Sequence, residues 1–146
     1  MAITQALANS FKKELLEADH NFKSAGGDKF KIALYTSSAT LNSATTSYTT
    51  GNEVGASGQY TAGGGALVNG GTSIASGVAI VDFADRSFTG VTLTARGALI
   101  YNTSATVANA AVAALDFGAD KTATSGTFTV QFPAATTSAA ILRISG

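Results

Sequence analysis

The sequence predicts a mainly β chain. The expected form is an antiparallel β-sandwich or jelly roll of about seven or eight strands, with an N-terminal amphipathic helix. Three observations carry this expectation. Apolar and polar residues alternate with period two in short runs after residue 29, as Phe128, Val130 and Phe132 do against Thr127, Thr129 and Gln131. Turn-forming residues punctuate these runs about every 8–12 residues. Helical spacing is confined to the start, where Leu7, Phe11, Leu15 and Ala18 recur at intervals of four, four and three.

A single domain is expected over 1–146, divided into a helical N-terminal segment at 1–25 and a β-sandwich at 29–146. The helix is expected from about Thr4 to Ala18, because Ala and Leu favour helix and neither Gly nor Pro interrupts before Gly26. Its apolar face either covers the open side of a sheet or docks on a partner subunit. Leu7, Phe11, Leu15 and the following Phe22 are therefore candidate interface residues.

After Gly26-Gly27, Phe30, Ile32 and Leu34 alternate with Lys29, Lys31 and Ala33, which predicts a half-buried strand. A Gly/Ser/Thr-rich stretch follows at 36–72 and is long for a structureless loop. Two readings of it stand. It holds short strands around Tyr48 and around Tyr60 or Leu67, or it is an arm that orders against a neighbour. Tyr48 and Tyr60 flank its glycines and are candidate contact aromatics.

Further strands are expected at Val78–Phe83 (central), Val91–Leu93, Ala98–Tyr101, Val112–Phe117, Phe128–Phe132 and Ile141–Ile144, with Pro133 closing the fifth of these. Asn109–Leu115 is ambiguous, since its alanines also favour helix. The runs at 78–83 and 112–117 resemble each other and suggest two hairpins at equivalent sheet positions.

Composition narrows the function classes. Only 12% of residues are charged, about half the usual share of roughly 25%. Half of those charges fall between Lys12 and Lys31. A formal net charge of zero argues against a basic nucleic-acid or polybasic membrane binder. The absence of cysteine removes disulfides and thiolate metal sites, and a single His removes multi-His centres. No run approaches the roughly 18 apolar residues of a spanning helix. The opening MAITQALANS lacks a basic region and does not read as a signal peptide.

Few constellations suggest chemistry, so no catalytic residue, metal ligand or cofactor is expected. His20 stands beside Asp19 near the expected helix C-terminus, where the macrodipole favours it, and no G-x-S-x-G elbow supplies a nucleophile. Asp82, Asp85, Asp116 and Asp120 match no EF-hand spacing. Asp85-Arg86 and Asp120-Lys121 read as turn residues with local charge compensation. The glycines between 51 and 65 fit neither G-x-G-x-x-G nor a P-loop.

The segments FKKELLEADHNF (Phe11–Phe22), KIALYTSSATL (Lys31–Leu41), YTTGNEV (Tyr48–Val54) and LDFGADKTATSGTFTVQFP (Leu115–Pro133) resemble a family of small virion structural proteins of tailed double-stranded DNA bacteriophages. The resemblance spans nearly the whole chain. It implies a capsid decoration (cement) protein with a β-sandwich or jelly-roll core and no enzymatic activity. The implied partners are the major capsid protein and other copies of the chain, with a trimer favoured; neither nucleic acid nor membrane is a partner. The implied location is the capsid exterior, after synthesis in the bacterial cytoplasm. Two alternatives stand beside it: a tail or fibre component of the same virion, and a carbohydrate-binding β-sandwich module.

Overall fold

A computed structural model describes residues 2–146. The chain is mainly β, with two antiparallel sheets and one short helix near the N-terminus. Its elements are β1 (Ala6–Leu7), α1 (Asn9–Leu16), β2 (Phe30–Tyr35), β3 (Gly65–Ala66), β4 (Asn69–Ala75), β5 (Val78–Phe83), β6 (Arg86–Asn102), β7 (Ala110–Val130) and β8 (Leu142–Ile144). The larger sheet has the order β1-β7-β6-β2-β3, and the smaller has the order β4-β5-β8.

The frame is one long hairpin. β6 runs for 17 residues and β7 for 21, paired from Arg86↔Val130 to Asn102↔Ala110. Near the turn, Gly97–Asn102 and Ala110–Leu115 are buried without alternation, which explains their continuous apolar runs. Farther out, Phe88, Val91, Leu93, Phe128 and Val130 are buried while the residues between them meet solvent. On the exposed side, hydroxyls pair across the strands at 2.9 Å, Ser87 with Thr129 and Thr94 with Thr122.

Bulges correct the expected strand count within this hairpin. The segments expected as separate strands at 91–93 and 98–101 are one strand, as are 112–117 and 128–130, while Gln131 and Phe132 lie beyond its end. Gly90 and Gly118, which look like turn formers, have φ of +65° and +79° inside the ladder. Phe117 to Asp120 all stand opposite Arg96, between the pairs Gly97↔Asp116 and Ala95↔Lys121. Asn109–Leu115 resolves as strand from Ala110 onward. The two similar runs do not occupy equivalent positions: 78–83 is the centre of the small sheet, and 112–117 lies in the large one.

The helix is shorter than expected. Ala6 and Leu7 pair with Ala114 and Ala113 of β7, and the amide of Ala8 donates to the Val112 carbonyl, so the helix starts only at Asn9. Ala18 has φ of +61°, which takes it out of helical geometry. The stretch at 36–72 comes nearer to the first of its two readings and is not a free arm. Its residues Ala39, Leu41, Val54, Tyr60 and Leu67 are buried in the common core. Backbone bridges tie Ser47 to Ala110 and Glu53 to Tyr35, and β3 pairs with β2. Gly64, just before β3, has φ of +79°, and a Cβ there would stand 1.8 Å from the Ile32 carbonyl oxygen.

The two sheets meet through aromatic rings. Phe22 stacks on Phe30 at 4.6 Å, and Phe83 meets Phe30 edge-on at 5.6 Å. Replacing a buried ring should therefore be costly. Phe128→Ala, at a position 7% exposed, is expected to destabilise the fold by about 3–5 kcal/mol in chemical denaturation. A loss well under about 1 kcal/mol would contradict its place in the core.

Candidate interaction surface

Four of the six residues expected at an interface converge on one feature. Leu7, Phe11, Leu15 and Phe22 line an apolar groove of about 530 Å³. The groove runs between the N-terminal segment and the small sheet, whose Val81, Leu142 and Ile144 form its other wall. Phe11 and Phe22 are buried, so they shape the wall and present little surface themselves. Leu7 and Leu15 are half-buried.

The small sheet builds its wall through register. Ile74 lies opposite Ala79, which lies opposite Ile144; Thr72, Val81 and Leu142 form the next row. Residues opposite one another share a face, and Phe83 is on that face too. Phe83, Val81 and Leu142 pack toward the core. Ile74 and Ile144 overhang it and are 79% and 60% exposed.

Leu16, at 90% exposure, caps the opposite wall. The sequence reading missed Leu16, Ile74 and Ile144. The doublet Leu15-Leu16 held a signal: consecutive helical residues diverge by about 100°, so one of the two must leave the buried face.

Tyr48 and Tyr60 lie elsewhere, and their expected exposure is corrected. Tyr60 is fully buried and Tyr48 is half-buried. Both phenols donate to Glu53, Tyr48 to Oε1 at 2.5 Å and Tyr60 to Oε2 at 2.7 Å. The Gly63 amide donates to the same Oε2 at 2.8 Å. Tyr101 stacks on Tyr48 at 4.8 Å and donates to the Gly63 carbonyl, while Tyr35 donates to the Thr49 carbonyl. All four tyrosines of the chain thus gather around one carboxylate and pin the 48–63 loop to β2 and β6.

His20 is also interior, with no exposed side-chain surface. Asn102 Nδ2 donates to His20 Nδ1 at 2.9 Å and to Asp28 Oδ2 at 2.7 Å. The ring proton is thereby left on Nε2, which donates to Glu14 Oε1 at 2.9 Å. Both ring nitrogens are occupied in tying α1 to the end of β6. This network, more than the helix dipole, accounts for the residue.

The aspartates divide between turn and bulge. Asp85 accepts from the Phe132 amide, and Asp116 accepts from the Gly118 amide. Asp116 and Asp120 lie 3.7 and 3.8 Å from Arg96, so Arg96 compensates Asp120 in place of the expected Lys121. Arg86 lies over the Phe88 ring at 4.8 Å instead of pairing with Asp85. Among the described residues no group of three or more His, Asp or Glu is placed to hold a metal ion.

The tyrosine cluster makes stability depend on alkaline pH. Burial pushes all four phenols above their ordinary value of 10.0, and the Glu53 charge adds to it; Tyr101 rises to about 12 and the other three also rise. The fold therefore holds these protons more tightly than the unfolded chain does. Their contribution is full below about pH 10 and is lost as pH rises through the raised values. Tyrosinate absorbance is expected to appear together with unfolding, above the range of free tyrosine. Titration of all four phenols near pH 10 in a folded chain would contradict the cluster.

Compared with known proteins, the chain matches no family model, no curated protein and no solved structure.

Proposed function

We propose that the chain is a non-enzymatic structural protein of a tailed-phage virion that binds the major capsid protein and reinforces or decorates the outside of the head. The observation that carries the reading is the open apolar groove between α1 and the small sheet, with Leu16 and Ile144 exposed on its walls. Exposed apolar surface of this kind marks an interaction site more often than chance exposure does. The charge-poor composition supports the same reading, because Ser and Thr surfaces desolvate at lower cost than ionised ones. The phage resemblance names the partner, and the groove supplies an adhesive face for it. Copies on a symmetric lattice would add weak contacts into high avidity.

The test is co-sedimentation of the purified chain with preassembled heads lacking it. Saturable binding in a fixed ratio to the major capsid protein is expected. Leu16→Asp is expected to weaken head binding at least about tenfold while shifting stability by no more than about 0.5 kcal/mol, because the side chain is exposed. Binding to tails with heads left bare would favour the tail reading, and wild-type-like head binding by Leu16→Asp would remove the groove from the interface.

A further inference from the structure

An open sheet edge is a template for another strand, and most proteins blunt it. This chain does so at three of its edges. The large sheet ends in β1 and β3, each only two residues long. Beyond β1, the free side of β7 is broken by bulges and carries Asp120 and Lys121. In the small sheet, β8 has three residues and bears Arg143.

The fourth edge, β4, differs. It runs for seven residues, Asn69–Ala75, is largely exposed, and contains neither a charged residue nor a proline. A bulge at Gly70 interrupts its beginning, but Gly71 to Ala75 pair regularly with β5. The following turn at Ser76-Gly77 has positive φ at both residues, as a tight hairpin requires. The usable edge is therefore five residues long and bounded at both ends. Ile74 lies on it and is 79% exposed, and Val68, just before β4, is 69% exposed.

We propose that β4 is a homotypic docking edge: it pairs antiparallel with β4 of a second copy about a two-fold axis, joining two three-stranded sheets into one of six strands. Self-complementarity points to a second copy as the occupant. A two-fold axis at Ser73 sets Gly71 opposite Ala75 and Thr72 opposite Ile74 of the other copy. Thr72 and Ile74 share a face, so each Ile74 side chain lies beside a threonine methyl and the row Ile74–Ala79–Ile144 continues across the seam. The opposite face of the seam carries only Gly71, Ser73 and Ala75, which leave room for approach. No like charges meet. The contact is isologous and closes on itself, so it uses up the edge instead of propagating a fibre.

This inference stands apart from the virion reading, since it concerns the purified chain alone. It also differs from a trimer, which an antiparallel edge pair about a two-fold axis does not build. The chain has no cysteine, so Ser73→Cys introduces a single probe. Opposed Cα atoms in an antiparallel ladder stand about 4.5–5.5 Å apart, within disulfide reach.

Mild oxidation of Ser73→Cys is expected to give a covalent dimer in high yield, while Ser37→Cys, on an exposed loop, gives little. Sedimentation is expected to show a dimer for the native chain. Ile74→Lys, with folding checked by circular dichroism, is expected to raise its dissociation constant at least about tenfold by placing two lysines at the seam. A monomer at all accessible concentrations would overturn the proposal, including the case in which β4 takes a strand from another protein. An oligomer that Ser73→Cys fails to cross-link, or that Ile74→Lys leaves intact, would overturn it as well.

Discussion

The contact of Phe22, Phe30 and Phe83 holds the architecture together. Phe30 belongs to the large sheet, Phe83 to the small one, and Phe22 to the segment that follows the helix. Three separate parts of the chain thus meet in one layer of rings. A three-stranded sheet has little core of its own and needs a second layer to bury its apolar face. Each buried ring contributes about 2–3 kcal/mol before the entropy of ordering is counted. The same contact also sets the spacing of the groove, because Phe22 lies in its wall and Phe83 shares a strand with Val81. The layer that stabilises the fold therefore also positions the surface proposed to act.

Two polar networks complete the interior. Glu53 receives two phenols and one amide, and His20 is held between Glu14 and Asn102. Buried polar groups are costly when unpaired and specific when satisfied. These networks fix two segments without regular structure, the 48–63 loop and the turn after α1. Hydrogen bonds within the chain tie the loop to the larger sheet. Adhesion on this account comes from a preformed surface, which loses less entropy on binding than an arm that must first become ordered.

Much of the fold was legible in periodicity, and the failures have physical causes. β2, β5 and β8 are readable because each is a short alternating or apolar run bounded by turn residues. β6 reads as two runs because Ala95-Arg96-Gly97 separates its apolar stretches, and β7 because Gly118 looks like a turn; both interruptions are bulges within a continuing ladder. Local sequence does not distinguish a glycine in a bulge from one in a hairpin turn, since either can use positive φ. Helical spacing predicts too early a helix start because the Ala6–Leu7 pairing with β7 is a contact more than a hundred residues away in sequence. Helical spacing picks out Leu7, Phe11 and Leu15, Phe22 follows the helix they mark, and the four share a groove. The burial of Tyr60 is not legible locally because it depends on distant partners, the Leu34 amide that donates to its hydroxyl and the Phe88 ring that meets it edge-on. The exposed Ile74 and Ile144 escaped notice because only the β4-β5-β8 register places them in one row.

The central claim is that this chain acts as an adhesive shape on a phage head, through the face between α1 and the small sheet. A cryo-electron map of the native particle tests it most directly. The account predicts density for the chain on the capsid exterior, with Leu16, Leu15 and Ile144 seated against the major capsid protein. Absence of the chain from the particle, or its presence with that groove turned to solvent, would contradict the account.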